Sequence, residues 1–272
     1  MHKKRIAINS KDRGTGTSSD FSVLIQTINN VKSVSVHSVE LVNSFYNINK
    51  YNNTFQIALV LISDGYEIPK PDSFIWDSVV SRFGTVVLNC VIPVGNYTAS
   101  SLSSVLQASL IQQSIENNII PAGFGPSTFT VSYDSNTYKY TITLSTSVTY
   151  SAVVNPKSPL GYVLGFRSLK FSTAPISDTL IDMRGAHVVY IHSNIIPVNT
   201  HTTDYKQHHI LTKIQLDKPL GDTIFYSSRY ENSDKWTGTD ISLINISLRD
   251  HNGNVLDNNN MDWTLSLVVE HD

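Results

Sequence analysis

His201, Asp204, His208 and His209 form the densest run of possible metal ligands in the chain. Imidazole with carboxylate is a donor set that zinc accepts. Their spacing matches no zinc pattern, and a polar loop between strands accounts for the same residues. A second oxygen-rich segment runs Asp250-His251-Asn252-Gly253-Asn254-Val255-Leu256-Asp257. Calcium loops need glycine at the sixth position and glutamate at the twelfth. Here glycine falls at the fourth and no glutamate follows, so a turn held by Asx hydrogen bonds is favoured. Neither segment is assigned a metal.

Nucleophilic catalysis has no evident carrier. Cys90 is the sole cysteine and lies in the apolar run Thr85-Val86-Val87-Leu88-Asn89-Cys90-Val91-Ile92, where a thiolate is disfavoured and the side chain reads as a small buried hydrophobe. No Gly-x-Ser-x-Gly elbow is present. Gly14-Thr15-Gly16 and Gly123-Phe124-Gly125 lack the Lys-Ser/Thr of a phosphate-binding loop and read as turns. Two acidic side chains facing each other across a groove would make a glycosidase-like site, which a linear sequence does not display. The expectation is a chain with no catalytic residues and no cofactor.

The remaining candidates are binding groups. Lys3, Lys4, Arg5, Lys11 and Arg13 break an otherwise even charge distribution, the net charge being -2. They could touch nucleic-acid phosphates, contact neighbouring subunits, or form a solvated arm over residues 1–20. Trp263 alternates with Leu265 and Leu267 and reads as core. Trp236 sits among Asn232, Asp234, Lys235 and Gly238 in an expected loop, where it would anchor a subunit interface or pack locally. Tyr46, Tyr51, Tyr226, Tyr230 and Trp236 could instead line an exposed sugar-binding face.

The elements that must position these groups are strands. Hydrophobic residues make up 40% of 272 and charged residues only 15%, the balance of a β protein whose outward positions carry hydroxyls and amides. Apolar residues alternate with polar ones in short runs near 21–25, 33–42, 54–61, 85–92, 128–133, 139–144, 187–192, 210–216, 223–227, 241–248 and 263–269. That many short strands predict an all-β sandwich or barrel. Asp134-Ser135-Asn136 and Asn252-Gly253 mark tight turns. One helix interrupts: Thr98 or Ser100 caps it, Leu102, Val105, Leu106, Ser109 and Leu110 follow at helical spacing, and it ends before Asn117-Asn118. With its neighbours it makes a β-α-β-β unit, expected as an insertion over about 84–170 in a domain spanning 21–272. No apolar stretch reaches the roughly 18 residues of a membrane span, and no apolar signal core follows the first basic residues. Synthesis in a reducing cytosol is therefore expected, with no membrane span.

Three blocks carry a family resemblance. The opening has Ile8-Asn9-Ser10-Lys11-Asp12-Arg13, Thr17-Ser18-Ser19-Asp20-Phe21-Ser22-Val23 and Val39-Glu40-Leu41-Val42-Asn43-Ser44-Phe45-Tyr46-Asn47-Ile48. The middle has Ile92-Pro93-Val94-Gly95-Asn96-Tyr97-Thr98 and Leu164-Gly165-Phe166, and the end has Leu248-Arg249-Asp250-His251-Asn252-Gly253 and Asp262-Trp263-Thr264-Leu265. In this order they resemble penton and minor capsid proteins of virophages, Polinton-like viruses and related large DNA viruses. The resemblance implies a single jelly-roll antiparallel β-sandwich with a small insertion, and a virion protein assembled in the host cytoplasm. It further implies a homopentamer at icosahedral vertices, with the major capsid protein as neighbour and weak genome contact through the basic segment. The alternative reading is a carbohydrate-binding jelly-roll attachment protein.

Overall fold

Asp20–Val42 is one extended strand of 23 residues, so two expected strands are continuous, with shifts in the register of its partners. The computed structural model describes residues 2–61, 76–77, 86–117, 128–145, 150–196, 200–201, 207–228 and 234–272. Its strands are β1 (His2–Asn9), β2 (Thr15–Gly16), β3 (Asp20–Val42), β4 (Thr54–Leu61), β5 (Val86–Val91), β6 (Phe129–Asp134), β7 (Lys139–Leu144), β8 (Tyr150–Val154), β9 (Val188–Ser193), β10 (Thr200–His201), β11 (Gln207–His208), β12 (Ile210–Gln215), β13 (Thr223–Ser227), β14 (Asp234–Arg249) and β15 (Thr264–His271). The helices are α1 (Ala99–Glu116) and the short α2 (Pro159–Val163). The chain divides into two compact units, one of Met1–Phe45 with Ala186–Asp272 and the other of Tyr46–Gly185.

In the first unit, the hydrogen-bonded order is β1-β15-β3-β14-β9-β12, all antiparallel. The partners of β3 change along its length. Strand β14 pairs with it, through register shifts, from Asp20 to Val34, and β2 pairs with it at Phe21 and Ser22, while the second half gains β15 over Val31–Glu40 and β13 over Ser38–Val42. The change occurs at Asn30, which takes a positive φ of 51° and donates its backbone N–H to Asp240 Oδ1 at 3.0 Å. Asparagine tolerates that left-handed conformation better than most residues. Register shifts in β14 between Lys235 and Leu243 accompany it. Such bulges bend a sheet and re-phase its side chains, which is why β3 buries Phe21 and Ile28 before the bend and Val31, Val34 and Val36 after it.

The curled sheet closes on one core containing Phe21, Ile191, Ile214, Ile246, Leu265, Leu267 and Trp263. Phe21 and Trp263 meet edge to face with centroids 5.9 Å apart, the preferred arrangement of aromatic quadrupoles. Three corrections follow. Residues 2–9 are no free arm: they pair through their whole length with β15, because Ile6 and Ile8 alternate toward the core. Trp236 lies within β14, not a loop, since that strand extends back to pair Asp234 and Lys235 with Val34 and Ser33. Strand β8 escaped the sequence reading altogether.

Polar residues lock one end of this core. Asn258 is 3% exposed. Its Oδ1 accepts from the hydroxyls of Ser18 at 2.5 Å and Ser19 at 2.8 Å, its backbone N–H donates to Ser19 Oγ at 3.0 Å, and its Nδ2 donates to Met261 O at 2.6 Å. Ser44 Oγ donates to Asn258 O at 2.7 Å, and Trp263 Nε1 donates to Ser18 O at 2.7 Å. Segments more than two hundred residues apart in sequence are thereby joined, and among the described residues no buried side-chain nitrogen or oxygen lacks a hydrogen-bond partner.

In the second unit, β4 pairs with β5 on one side and β8 on the other, and β6 and β7 form a hairpin in the expected register position. Because β4 and β8 belong to it, this unit is wider than the 84–170 expected for the insertion. Helix α1 begins at Thr98, whose side chain and that of Ser101 make a reciprocal capping box. It buries Leu102, Leu106 and Leu110 in a core with Phe55, Leu88, Phe129 and Ile142. Tyr140 is wholly buried there and donates its hydroxyl to Ala99 O at 2.5 Å; burial pushes its pKa up to about 12. Asp178 organises the unit's last segment, accepting from the backbone N–H groups of Arg167 at 2.7 Å and Ser168 at 3.0 Å, from Ser168 Oγ at 2.9 Å, and pairing with Lys170. Burial works to raise the pKa of Asp178, but the Lys170 ammonium and these donors outweigh it and hold the group at about 2.

Two outcomes are expected. Asn258→Ala removes the side-chain acceptor of the Ser18 and Ser19 hydroxyls and lowers unfolding free energy by roughly 2–4 kcal/mol, measurable by urea titration followed through tryptophan fluorescence. A carboxyl depressed by folding contributes stability above its unfolded pKa near 3.9 that is lost as pH falls toward 2. Wild type should therefore lose melting temperature over that window, and Asp178→Asn should flatten that acid limb while melting lower at pH 7.

Candidate functional site

The basic residues noted in the sequence are separated by the strand that carries them. In β1, Lys3 and Arg5 share the exposed face while Lys4 points to the side of Ile6 and Ile8. Lys3 faces Glu270 across the β1–β15 pair, with Nζ 3.2 Å from Oε1. A hydrogen bond from Ser33, then the Lys3 contact, hold the Glu270 carboxyl below its ordinary value. Lys11 lies in the 3₁₀ turn Ser10–Asp12. Arg13 donates to Ser10 O at 2.7 Å and lies 3.3 Å from Asp262 Oδ1. Local acids thus offset Lys3 and Arg13. Since β1 is the terminal strand of the sheet order, Lys3, Lys4 and Arg5 also place charge on a sheet edge, a common guard against uncontrolled strand addition.

The metal candidates are partly outside the described residues, Asp204 entirely and His201 and His208 in their side chains. His209 Nδ1 lies 2.8 Å from Ile196 O and donates to it. Among the described residues no group of three or more His, Cys, Asp or Glu side chains is placed to hold a metal. In the turn after β14, Asp250 Oδ1 accepts from the N–H groups of Asn252 and Asn254 at 2.8 and 2.9 Å, and Oδ2 from Asn254 Nδ2 at 3.0 Å. This carboxylate is engaged by N–H donors, as an Asx turn requires. Gly253 supplies the positive φ of 82°. Cys90 is buried, and desolvation pushes its thiol up to about 11 despite a hydrogen bond with Ser109. The ring of Trp236 lies outside the described side chains, as do Tyr230 and its surroundings.

What the sequence reading missed is a groove of about 810 Å³ on the outward face of the first unit, walled by the Asp250–Asn254 turn. Its floor follows from strand register. Asp20 on β3, Ser247 on β14 and His192 on β9 stand in one row, because Ser247 is paired with both of the others. One row away, Ser22 Oγ donates to Asn245 Oδ1 at 2.8 Å, and Asn245 N donates to Asn194 Oδ1 at 2.7 Å. Arg249, two residues along from Ser247, donates Nε to Ser247 Oγ at 2.9 Å and Nη1 to Gly253 O at 2.8 Å. The guanidinium is therefore held in place before any ligand arrives.

Aspartate, serine and histidine in one groove suggest a hydrolase, and the register argues otherwise. A relay needs the imidazole between nucleophile and carboxylate. Here serine occupies the middle strand, and its oxygen accepts a hydrogen bond from Arg249. The arrangement is equipped to bind. No signal of strand periodicity could have found it, since it joins residues near 20, 192, 209 and 250.

No protein-family model matches the chain, and no curated protein matches it in sequence. Its fold is similar to that of the mavirus penton protein in a crystal structure, with a TM-score of 0.51, 11% identity and coverage of 100% of both chains. The likeness is one of fold, and it agrees with the jelly-roll architecture expected from the sequence. No helix among the described residues is long and apolar enough to cross a membrane.

Proposed function

We propose that this chain is a structural subunit of a viral capsid, occupying the vertex as a penton and performing no chemistry. The observation that carries the reading is the likeness to the mavirus penton protein over the whole of both chains. A fold alone hosts many functions, but here the likeness covers both units, in a chain whose order of motifs resembles the same family. On this reading the subunit associates with itself as a pentamer, seats against the major capsid protein, and belongs to a virion assembled in the host cytoplasm. Closed rings of this kind form through heterologous contacts whose rotation closes.

Trp236 anchors the subunit contact in this account, a role that suits tryptophan at the desolvated centre of an interface. Lys3, Lys4, Arg5, Lys11 and Arg13 face neighbouring subunits or the genome. The partial neutralisation of Lys3 by Glu270 and of Arg13 by Asp262 favours weak contact over a strong nucleic-acid site.

Light scattering of the purified protein across concentration and salt tests the proposal. A species of five times the 30.2 kDa chain mass is expected, and Trp236→Ala should shift it toward monomer at equal concentration without loss of β-sheet circular dichroism. A wild-type monomer at every concentration would oppose the vertex role.

A further inference from the structure

The outward groove of the first unit carries groups that its own fold leaves unused. Asp20 and Arg249 both line it. Their places on neighbouring strands are diagonal, since Asp20 pairs with Ser247, two residues from Arg249; diagonal neighbours lie roughly 7–8 Å apart, and no ion pair joins them. Among the described residues neither meets an opposite charge. Arg249 is nonetheless held by Ser247 and Gly253 through Nε and Nη1, bonds that do not use Nη2. Asn245 spends its Oδ1 on Ser22 but keeps its amide N–H₂, and Asn252 offers its whole side-chain amide from the turn.

This inventory selects a ligand. A fixed guanidinium is the best protein partner for a planar carboxylate, while a carboxylate and side-chain amides are acceptors and donors for hydroxyl pairs. Of the side chains that can carry charge, one is acidic, whereas Arg249 and the imidazoles of His192 and His209 are basic groups. The balance favours an anionic ligand over a neutral one. A volume of about 810 Å³ lies within the range of small-ligand sites. We propose that this groove binds an acidic saccharide, with the sugar carboxylate on Arg249 and its hydroxyls on Asp20, Asn245 and Asn252. The site is distinct from the tyrosine and Trp236 face considered from sequence, and it does not depend on the assembly state.

The test is saturation-transfer NMR and titration of the full chain with the methyl glycosides of N-acetylneuraminic acid and glucuronic acid, and with methyl glucoside as the neutral control. At least one acidic glycoside should bind with a dissociation constant near the millimolar range. Binding should weaken tenfold or more in Arg249→Gln and Asp20→Ala, and severalfold in Asn252→Ala. Because Arg249 also secures its turn, circular dichroism accompanies that variant, and the exposed Asp20 and Asn252 provide the measurement should it fail to fold. Absence of binding by both acidic glycosides, equal binding of methyl glucoside, or binding unchanged in Asp20→Ala and Asn252→Ala would overturn the assignment. A vertex role would be untouched by any of these results.

Discussion

Everything in the first unit depends on one constraint: a 23-residue strand must keep its backbone hydrogen bonds while passing from one half of a curled sheet to the other. An unpaired buried peptide group costs about as much as a core contact contributes, so the bend has to be made without releasing the ladder. Asn30 and the register shifts of β14 do this together. The exchange of partners also brings the termini into play. Strand β15 joins β3 after the bend while β14 continues to pair as far as Val34, β1 adds to β15, and the basic residues of β1 consequently become sheet-edge charges. Had the bend been a loop, the two layers would be joined only through side chains, and Phe21 would have no reason to meet Trp263.

The closing of the core at its other end is polar. Asn258 draws Ser18, Ser19 and Ser44 into one buried knot. Its geometry fixes where β15 starts and therefore where Trp263 enters the core. Low charge elsewhere in the chain suits such a design, because serine and asparagine satisfy buried peptide groups without the desolvation cost of ions. The same chemistry reappears on the outer face, where serine and asparagine line the groove.

Sequence periodicity revealed most strands because each has a face to bury, and Lys139–Leu144 and Thr223–Ser227 coincide with their expected bounds. The helix was legible down to its Thr98 cap and its end before Asn117. Illegible features were those set by distant partners. Residues 2–9 look like a polar arm until β15 is present to pair with them. Residues 26–32 fall between two expected strands until Asp240 is seen to receive Asn30. Asn258 carries no pattern of its own, since its importance comes from serines more than two hundred positions earlier. The groove was hidden for the same reason: its polar side chains are brought side by side by three strands distant in sequence.

Hydrogen–deuterium exchange along β3 tests the central claim most directly. If one continuous strand binds both halves of the sheet, the paired amides before and after Asn30 exchange slowly and with a common opening free energy, as one cooperative unit. Rapid exchange at Ile28 and Val31, with separate stabilities for the segments before and after them, would contradict the account and return β3 to two strands joined by a loop.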